Sequence, residues 1–186
     1  MMDASKIIRD RLGYLQDCEL TALKQCILGL PDGSICVNIG VGWGTSGLAF
    51  IESPNVGKLY SIDIHQFMYE YYLGSLEYET NIFKEFGFDK DPRYLQIQGD
   101  SAEVGRSWKE PVDMLFLDGD HSYEHCKEDI KAWLPHVKQG GIFAFHDYKE
   151  PQWPGIEKAV NELMYEHQMI SNAGTFAAFR ISPKMV

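Results

Sequence analysis

An apolar, β-branched run from Ile35 to Ile39 breaks into glycine at Gly40, Gly42, Gly44 and Gly47, then resumes as the helix-like Leu48-Ala49-Phe50-Ile51. A strand, a tight turn and a helix in so few residues leave few folds open. This is how a backbone approaches a ligand closely over a helix N-terminus. Gly42, Gly44 and Gly47 fit the G-x-G-x-x-G spacing, and Asp63 ends the next strand-like run, Lys58 to Ile62. An acid at that distance suits a ribose hydroxyl clamp, so the loop points to a nucleoside-containing cofactor. The plainer alternative is a turn that only lets strand and helix pack closely. The G-x-x-x-x-G-K-[ST] pattern of a phosphate-binding loop is absent.

The alternation continues along the chain. Tyr94 to Gln98, Val112 to Leu117 and Gly141 to Phe145 read as further buried strands. Helices are expected over Thr45 to Glu52, Ser101 to Trp108, Tyr123 to Val137 and Gly155 to His167, after an opening helix from about Ser5 to Leu28. Short unbroken apolar strands between helices predict a parallel sheet covered on both faces. Gln168 to Ser171 and Thr175 to Ile181 are separated too briefly for a crossover helix, so they predict a terminal hairpin with one antiparallel strand. The expected fold class is α/β, an open, mostly parallel seven-stranded Rossmann-like sheet with helices on both faces. The chain reads as one domain over 1–186, with a helical segment over 1–30. The aromatic-rich stretch over 65–87 is expected to be a lid or substrate wall, with ordinary core packing as the alternative.

The formal net charge is −10, and no lysine or arginine cluster builds a basic face, which disfavours nucleic acid as a partner. Cys18, Cys26, Cys36 and Cys126 have no zinc spacing, and no apolar run is long enough for a bilayer. Without a signal-like N-terminus, the cytoplasm is the default expectation.

Polar groups gather at the carboxyl ends of the predicted strands: Asp63, Gly99-Asp100-Ser101, Asp118-Gly119-Asp120-His121-Ser122-Tyr123 and His146-Asp147-Tyr148. In an open α/β sheet that edge is where ligands bind. Taken singly, Asp100, Asp120 and Ser122 could be helix caps and His121 an exposed loop residue.

On these elements the chain resembles the class I S-adenosylmethionine-dependent methyltransferases. It is more narrowly similar to the small-molecule O-methyltransferase group of macrolide-sugar and cephalosporin-type enzymes, through Phe116 to Tyr123, Asp129-Ile130, and Leu134-Pro135 onward to His146-Asp147-Tyr148. The resemblance implies that Gly40, Gly42 and Gly44 form the turn under the methionine part of S-adenosylmethionine. Asp63 would bind the ribose hydroxyls, and Asp100 with Ser101 would lie beside the adenine. Asn38 stands where many relatives have an acid near the cofactor's amino group; an amide can accept that hydrogen bond without the charge. In metal-dependent relatives the matching positions are Asp118, His146 and Asp147, a set that suits Mg²⁺ or, given the histidine, Mn²⁺, Fe²⁺ or Zn²⁺. A metal-free site is the other option.

For a hydroxyl acceptor, His121 is the expected general base, and Asp118 joins it in the catalytic set. The implied partner is a small-molecule acceptor, with the site left open or finished by a second subunit. Two alternatives are a nicotinamide-dependent oxidoreductase and a non-catalytic S-adenosylmethionine-binding protein. Methyltransferases that modify amino groups commonly carry Asn/Asp-Pro-Pro-Tyr after strand four, where this chain has Asp118-Gly119-Asp120-His121.

Overall fold

A computed structural model describes residues 15–64 and 75–183. Among these residues the order is α1 (Asp17–Leu28), β1 (Ser34–Ile39), α2 (Thr45–Ile51), β2 (Val56–Asp63), α3 (Ser75–Phe86), β3 (Tyr94–Gln98), α4 (Ser101–Ser107), β4 (Val112–Leu117), α5 (Tyr123–Trp133), a 3₁₀ turn (Leu134–His136), β5 (Val137–Phe145), α6 (Pro154–Leu163), β6 (Gln168–Ala173) and β7 (Phe176–Arg180). One seven-stranded sheet runs β3-β2-β1-β4-β5-β7-β6. Its pairs are parallel from β3 to β5, while β7 is antiparallel to both β5 and β6. The Rossmann-like sheet and its terminal hairpin are therefore as the sequence predicts.

Strand alternation divides the core between two faces. Cys36, Leu59, Met114, Phe116 and Ala144 face one side, where Leu23 and Ile27 of α1, Leu48 and Ile51 of α2 and Phe83 of α3 pack on them. Val37, Ile39, Leu115, Leu117, Phe143 and Phe145 face the other, under Ile130 and Trp133 of α5 and Ala159 and Val160 of α6. Both faces of the central strands are buried, which explains their unbroken apolar runs.

Several boundaries differ from expectation. α1 starts at Asp17, not near Ser5, because Glu19 Oε2 accepts a hydrogen bond from Gln16 N at 2.7 Å and closes the first turn there; residues 1–14 lie outside the described set. α5 stops at Trp133 rather than Val137, where Pro135 enters the 3₁₀ turn without an N–H to continue the ladder. β5 begins at Val137, opposite Val112, with a register shift before Ile142 resumes pairing with Met114. α6 ends at Leu163. Within the expected lid, Phe83 is fully buried in the core of α3; residues 65–74, with Phe67, Tyr69, Tyr71 and Tyr72, lie outside the described residues. No helix among the described residues is long and apolar enough to cross a membrane.

Strand order reverses between β1 and β4. At such a switch point the loops leaving the two strands diverge to opposite faces and open a crevice. The glycine loop leaves β1 there and the Asp118 segment leaves β4, so topology alone brings them together.

Candidate active site

The carboxyl ends of five parallel strands are laced together just beyond the sheet. Gly40 N donates to Ile62 O at 2.9 Å, Asp118 N to Ile39 O at 2.9 Å, His146 N to Leu117 O at 3.0 Å and Gly99 N to Asp63 O at 3.0 Å. Gly40 has φ +77°, and an added Cβ would run into the Asp118 carbonyl. Only glycine lets the two loops approach so closely. Asp63 braces the turn: its Oδ2 accepts from Val41 N at 3.0 Å.

Asn38, two residues before Gly40, is fully buried, and among the described residues neither its amide oxygen nor its nitrogen has a hydrogen-bond partner. A buried polar group left in that state costs about 1–3 kcal/mol, so it marks a position where another polar group is wanted. Asp100 caps α4 by accepting from Glu103 N at 2.8 Å. Its neighbour Ser101 donates its hydroxyl to Asp129 of α5, whose carboxyl burial pushes up to about 6. Asp120 accepts from Ser122 N at 2.7 Å, and Ser122 caps α5.

A tighter constellation forms where β4 and β5 end. Ligand atoms of Asp118, His121 and Asp147 all lie within 4.8 Å of one another, a set that can hold a cation. His121 Nε2 is 3.0 Å from Asp147 Oδ2, and its ring stacks on Trp153 with centroids 4.8 Å apart. Asp147 reaches this position through a left-handed backbone, φ 55°, which aspartate adopts more readily than most residues.

His146 is engaged differently from the sequence expectation. Its Nδ1 lies 3.2 Å from Asp118 Oδ1 and 3.2 Å from Asp147 Oδ2, while its Nε2 lies 3.2 Å from Glu19 Oε2. Both ring nitrogens are thus taken up by carboxylates, and the histidine that joins Asp118 and Asp147 in the candidate cation group is His121. His146 pins α1 to the strand ends, since Glu19 Oε1 also accepts from Thr175 N at 2.7 Å and Thr175 Oγ1 at 2.8 Å.

The charges follow from these contacts. Burial raises Asp118 above the usual carboxylate range, with His146 pulling the other way. For Asp147 burial also pushes upward, but bonds from His121 and His146 outweigh it and hold the carboxyl well below that range. The Asp147 bond raises His121 above the ordinary imidazole value. Burial opposes the charge on His146, yet Asp118, Asp147 and Glu19 raise it to about 12. Glu19, pushed up by burial, is brought down to about 2 by His146, Thr175 and Gln16.

The sequence reading passed over Glu19 and Glu79, each fully buried. Both sit on the apolar stripe of a helix, Glu19 beside Leu20 and Leu23, Glu79 between Leu76 and Phe83. An acid at helical spacing among core residues was the available signal.

Comparison with known proteins bears on the family and the fold. Residues 37–148 match the sequence profile of a family described as a methyltransferase domain. Demethylmacrocin O-methyltransferase of Streptomyces fradiae is 38% identical over 127 residues, covering 64% of this chain and 29% of that protein. The chain spans less than a third of the length of the curated relatives it matches. Among solved structures, the apo form of CalS11, a TDP-rhamnose 3'-O-methyltransferase of calicheamicin biosynthesis, aligns with TM-score 0.66 at 18% identity, covering 94% of this chain and 86% of that one. The MycE methyltransferase of the mycinamycin pathway, solved with Mg, SAH and mycinamycin VI, aligns with TM-score 0.63 at 17% identity, covering 97% of this chain and 53% of that one. At these identities the structural likeness speaks for the fold. The profile spans the glycine loop, the β4 and β5 ends and the strands between them, and on that match the chain belongs to the methyltransferase domain family.

Proposed function

We propose that this chain transfers a methyl group from S-adenosylmethionine to a hydroxyl of a small molecule. The observation that carries the reading is the Asp118, His121 and Asp147 cluster beside the glycine loop at the sheet's switch point. The residues present fit the cofactor. The orphaned Asn38 amide supplies an acceptor for an ammonium group, the space around Gly42 is open where a Cβ would sit, and Asp63 ends β2 beside the loop. The nicotinamide alternative loses ground to the family match over residues 37–148.

When bound, S-adenosylmethionine supplies an electrophilic sulfonium methyl. The protein's part is to align the acceptor oxygen and take its proton. Asp147 accepts a hydrogen bond from the N–H at His121 Nε2, which leaves the lone pair on Nδ1 as the proton acceptor. Trp153 holds the imidazole plane from one side. Asn38, Gly40, Gly42, Gly44, Asp63, Asp100 and Ser101 make up the cofactor side, and Asp118 lies between the two halves.

A second reading keeps the same residues and adds a divalent cation on Asp118, His121 and Asp147, with His121 in the role expected for His146. The donor set is mixed oxygen and nitrogen, which suits Mg²⁺ or Mn²⁺ and admits Fe²⁺ or Zn²⁺. Such an ion would bind the acceptor oxygen and lower its pKa. Methyl transfer to a panel of sugar and phenol hydroxyls, with and without a chelator, tests both. Turnover that survives chelation supports the base mechanism, and turnover restored only by added Mg²⁺ or Mn²⁺ supports the ion. Binding of S-adenosylmethionine without transfer to any acceptor would favour the non-catalytic alternative.

A further inference from the structure

A second buried constellation lies beneath the glycine loop, away from the Asp118 cluster. Glu79 of α3 is fully buried and meets three donors. Ser61 Oγ donates to its Oε1 at 2.7 Å, while Tyr94 OH at 2.7 Å and Gln96 Nε2 at 3.2 Å donate to its Oε2. The same side chain abuts the loop. A Cβ on Gly44, whose φ is +78°, would lie 3.0 Å from the Glu79 Cα, and one on Gly47 would strike the Glu79 carboxylate. Trp43 at the loop tip packs edge-on against Tyr78, with ring centroids 5.0 Å apart. Asn38, with its unpartnered amide, is the register partner of Ser61 on the adjacent strand and points to the same face of the sheet.

A carboxylate on an apolar helix stripe is expensive unless it does something a leucine could not. Here its contacts run to the sheet on one side and to the loop and the start of α2 on the other. We propose that Glu79 is a positioning residue for the cofactor loop: bound to Ser61, it seats the Gly44–Gly47 turn beside Asn38 and so sets the affinity for the amino-acid end of the S-adenosyl ligand without touching it. This inference rests on the cofactor reading above.

Its charge adds a means of testing. Burial raises the Glu79 carboxyl to about 7, against Tyr94, Ser61 and Gln96, which favour the ionised form. The titratable groups facing it are Tyr94 of β3, whose hydroxyl burial and Glu79 both raise, and Asp63 at the end of β2, which adds like charge. All three donors aim at carboxylate oxygens, and an incoming ammonium favours the same ionised form. Affinity is therefore set to rise with pH across the range where Glu79 ionises.

The experiment is calorimetric titration with S-adenosylhomocysteine of the wild type, Glu79→Gln and Glu79→Ala between pH 6 and 8, with the urea midpoint measured for each. The wild-type Kd is expected to tighten by about fivefold over that range. Glu79→Gln, which keeps the volume and cannot ionise, is expected to give a pH-independent Kd about fivefold to tenfold weaker than wild type at pH 8. A Glu79→Gln protein with the wild-type Kd at each pH overturns the proposal, whatever its urea midpoint or the folding of Glu79→Ala. A folded wild type that binds no S-adenosylhomocysteine removes the cofactor reading itself, an outcome distinct from the first.

Discussion

His121 has one nitrogen committed to Asp147 and its ring face to Trp153, so its removal should damage chemistry more than binding. His121→Ala is expected to leave S-adenosylhomocysteine affinity near wild type and to lower turnover by about 10²–10⁴-fold. A single-turnover rate equal to wild type would exclude it as the base. Because Asp147 raises the imidazole above 6.5, the protonated and inactive form persists to higher pH. The acid limb of the turnover profile is therefore expected above 6.5, and Asp147→Asn should shift it downward. The sequence alone pointed to Asp118, His121, His146 and Asp147, because all four lie in the short segments that follow β4 and β5. It set His146 in the cation group rather than against Glu19, which lies 127 positions away along the chain. A pairing that depends on where α1 lands cannot be read from local pattern.

The glycine loop and α1 each offer a test of how an element is fixed. Gly40→Ala combines a left-handed φ with a collision against the Asp118 carbonyl, and is expected to cost on the order of 2–4 kcal/mol in urea unfolding. A loss below about 0.5 kcal/mol would mean that the loop does not need the close approach described here. For α1, the Glu19–His146 pair sets a pH window. Glu19 is lowered from 4.5 to about 2, so its contribution is full above 4.5 and lost as pH falls toward 2. His146 is raised from 6.5 to about 12, so its contribution is full below 6.5 and lost as pH rises toward 12. Glu79, raised from 4.5 to about 7, gives up stability as pH rises between those values. Together the three predict a maximum near pH 4.5, with stability falling from there as pH rises. Glu19→Ala, which leaves His146 Nε2 and the Thr175 donors without their carboxylate, should cost about 1–3 kcal/mol there and flatten the acid side. An acid limb unchanged from wild type would disprove the link between α1 and the strand ends. The elements themselves were largely legible, since buried parallel strands and amphipathic helices have distinct periods. Their ends were less so: the start of α1 depends on the turn closed by Glu19, and β5 extends across Gly140–Gly141 because Val137 finds Val112 on the next strand.

Taken whole, the molecule is an open sheet whose two halves diverge at β1 and β4, and the chemistry collects in that crevice. Strand count and the terminal hairpin followed from run lengths and loop lengths. The strand order that makes the crevice did not, because pairing between distant strands leaves no local mark. What the proposed reaction requires first is a nucleoside ligand over the glycine loop. Calorimetric titration of the wild-type protein in metal-free buffer, with S-adenosylhomocysteine and separately with NAD⁺, examines this. One-to-one binding of S-adenosylhomocysteine, weakened at least about tenfold in Asp63→Ala and not matched by NAD⁺, is the expected result. A folded protein that binds NAD⁺ and not S-adenosylhomocysteine would contradict the methyl-transfer reading.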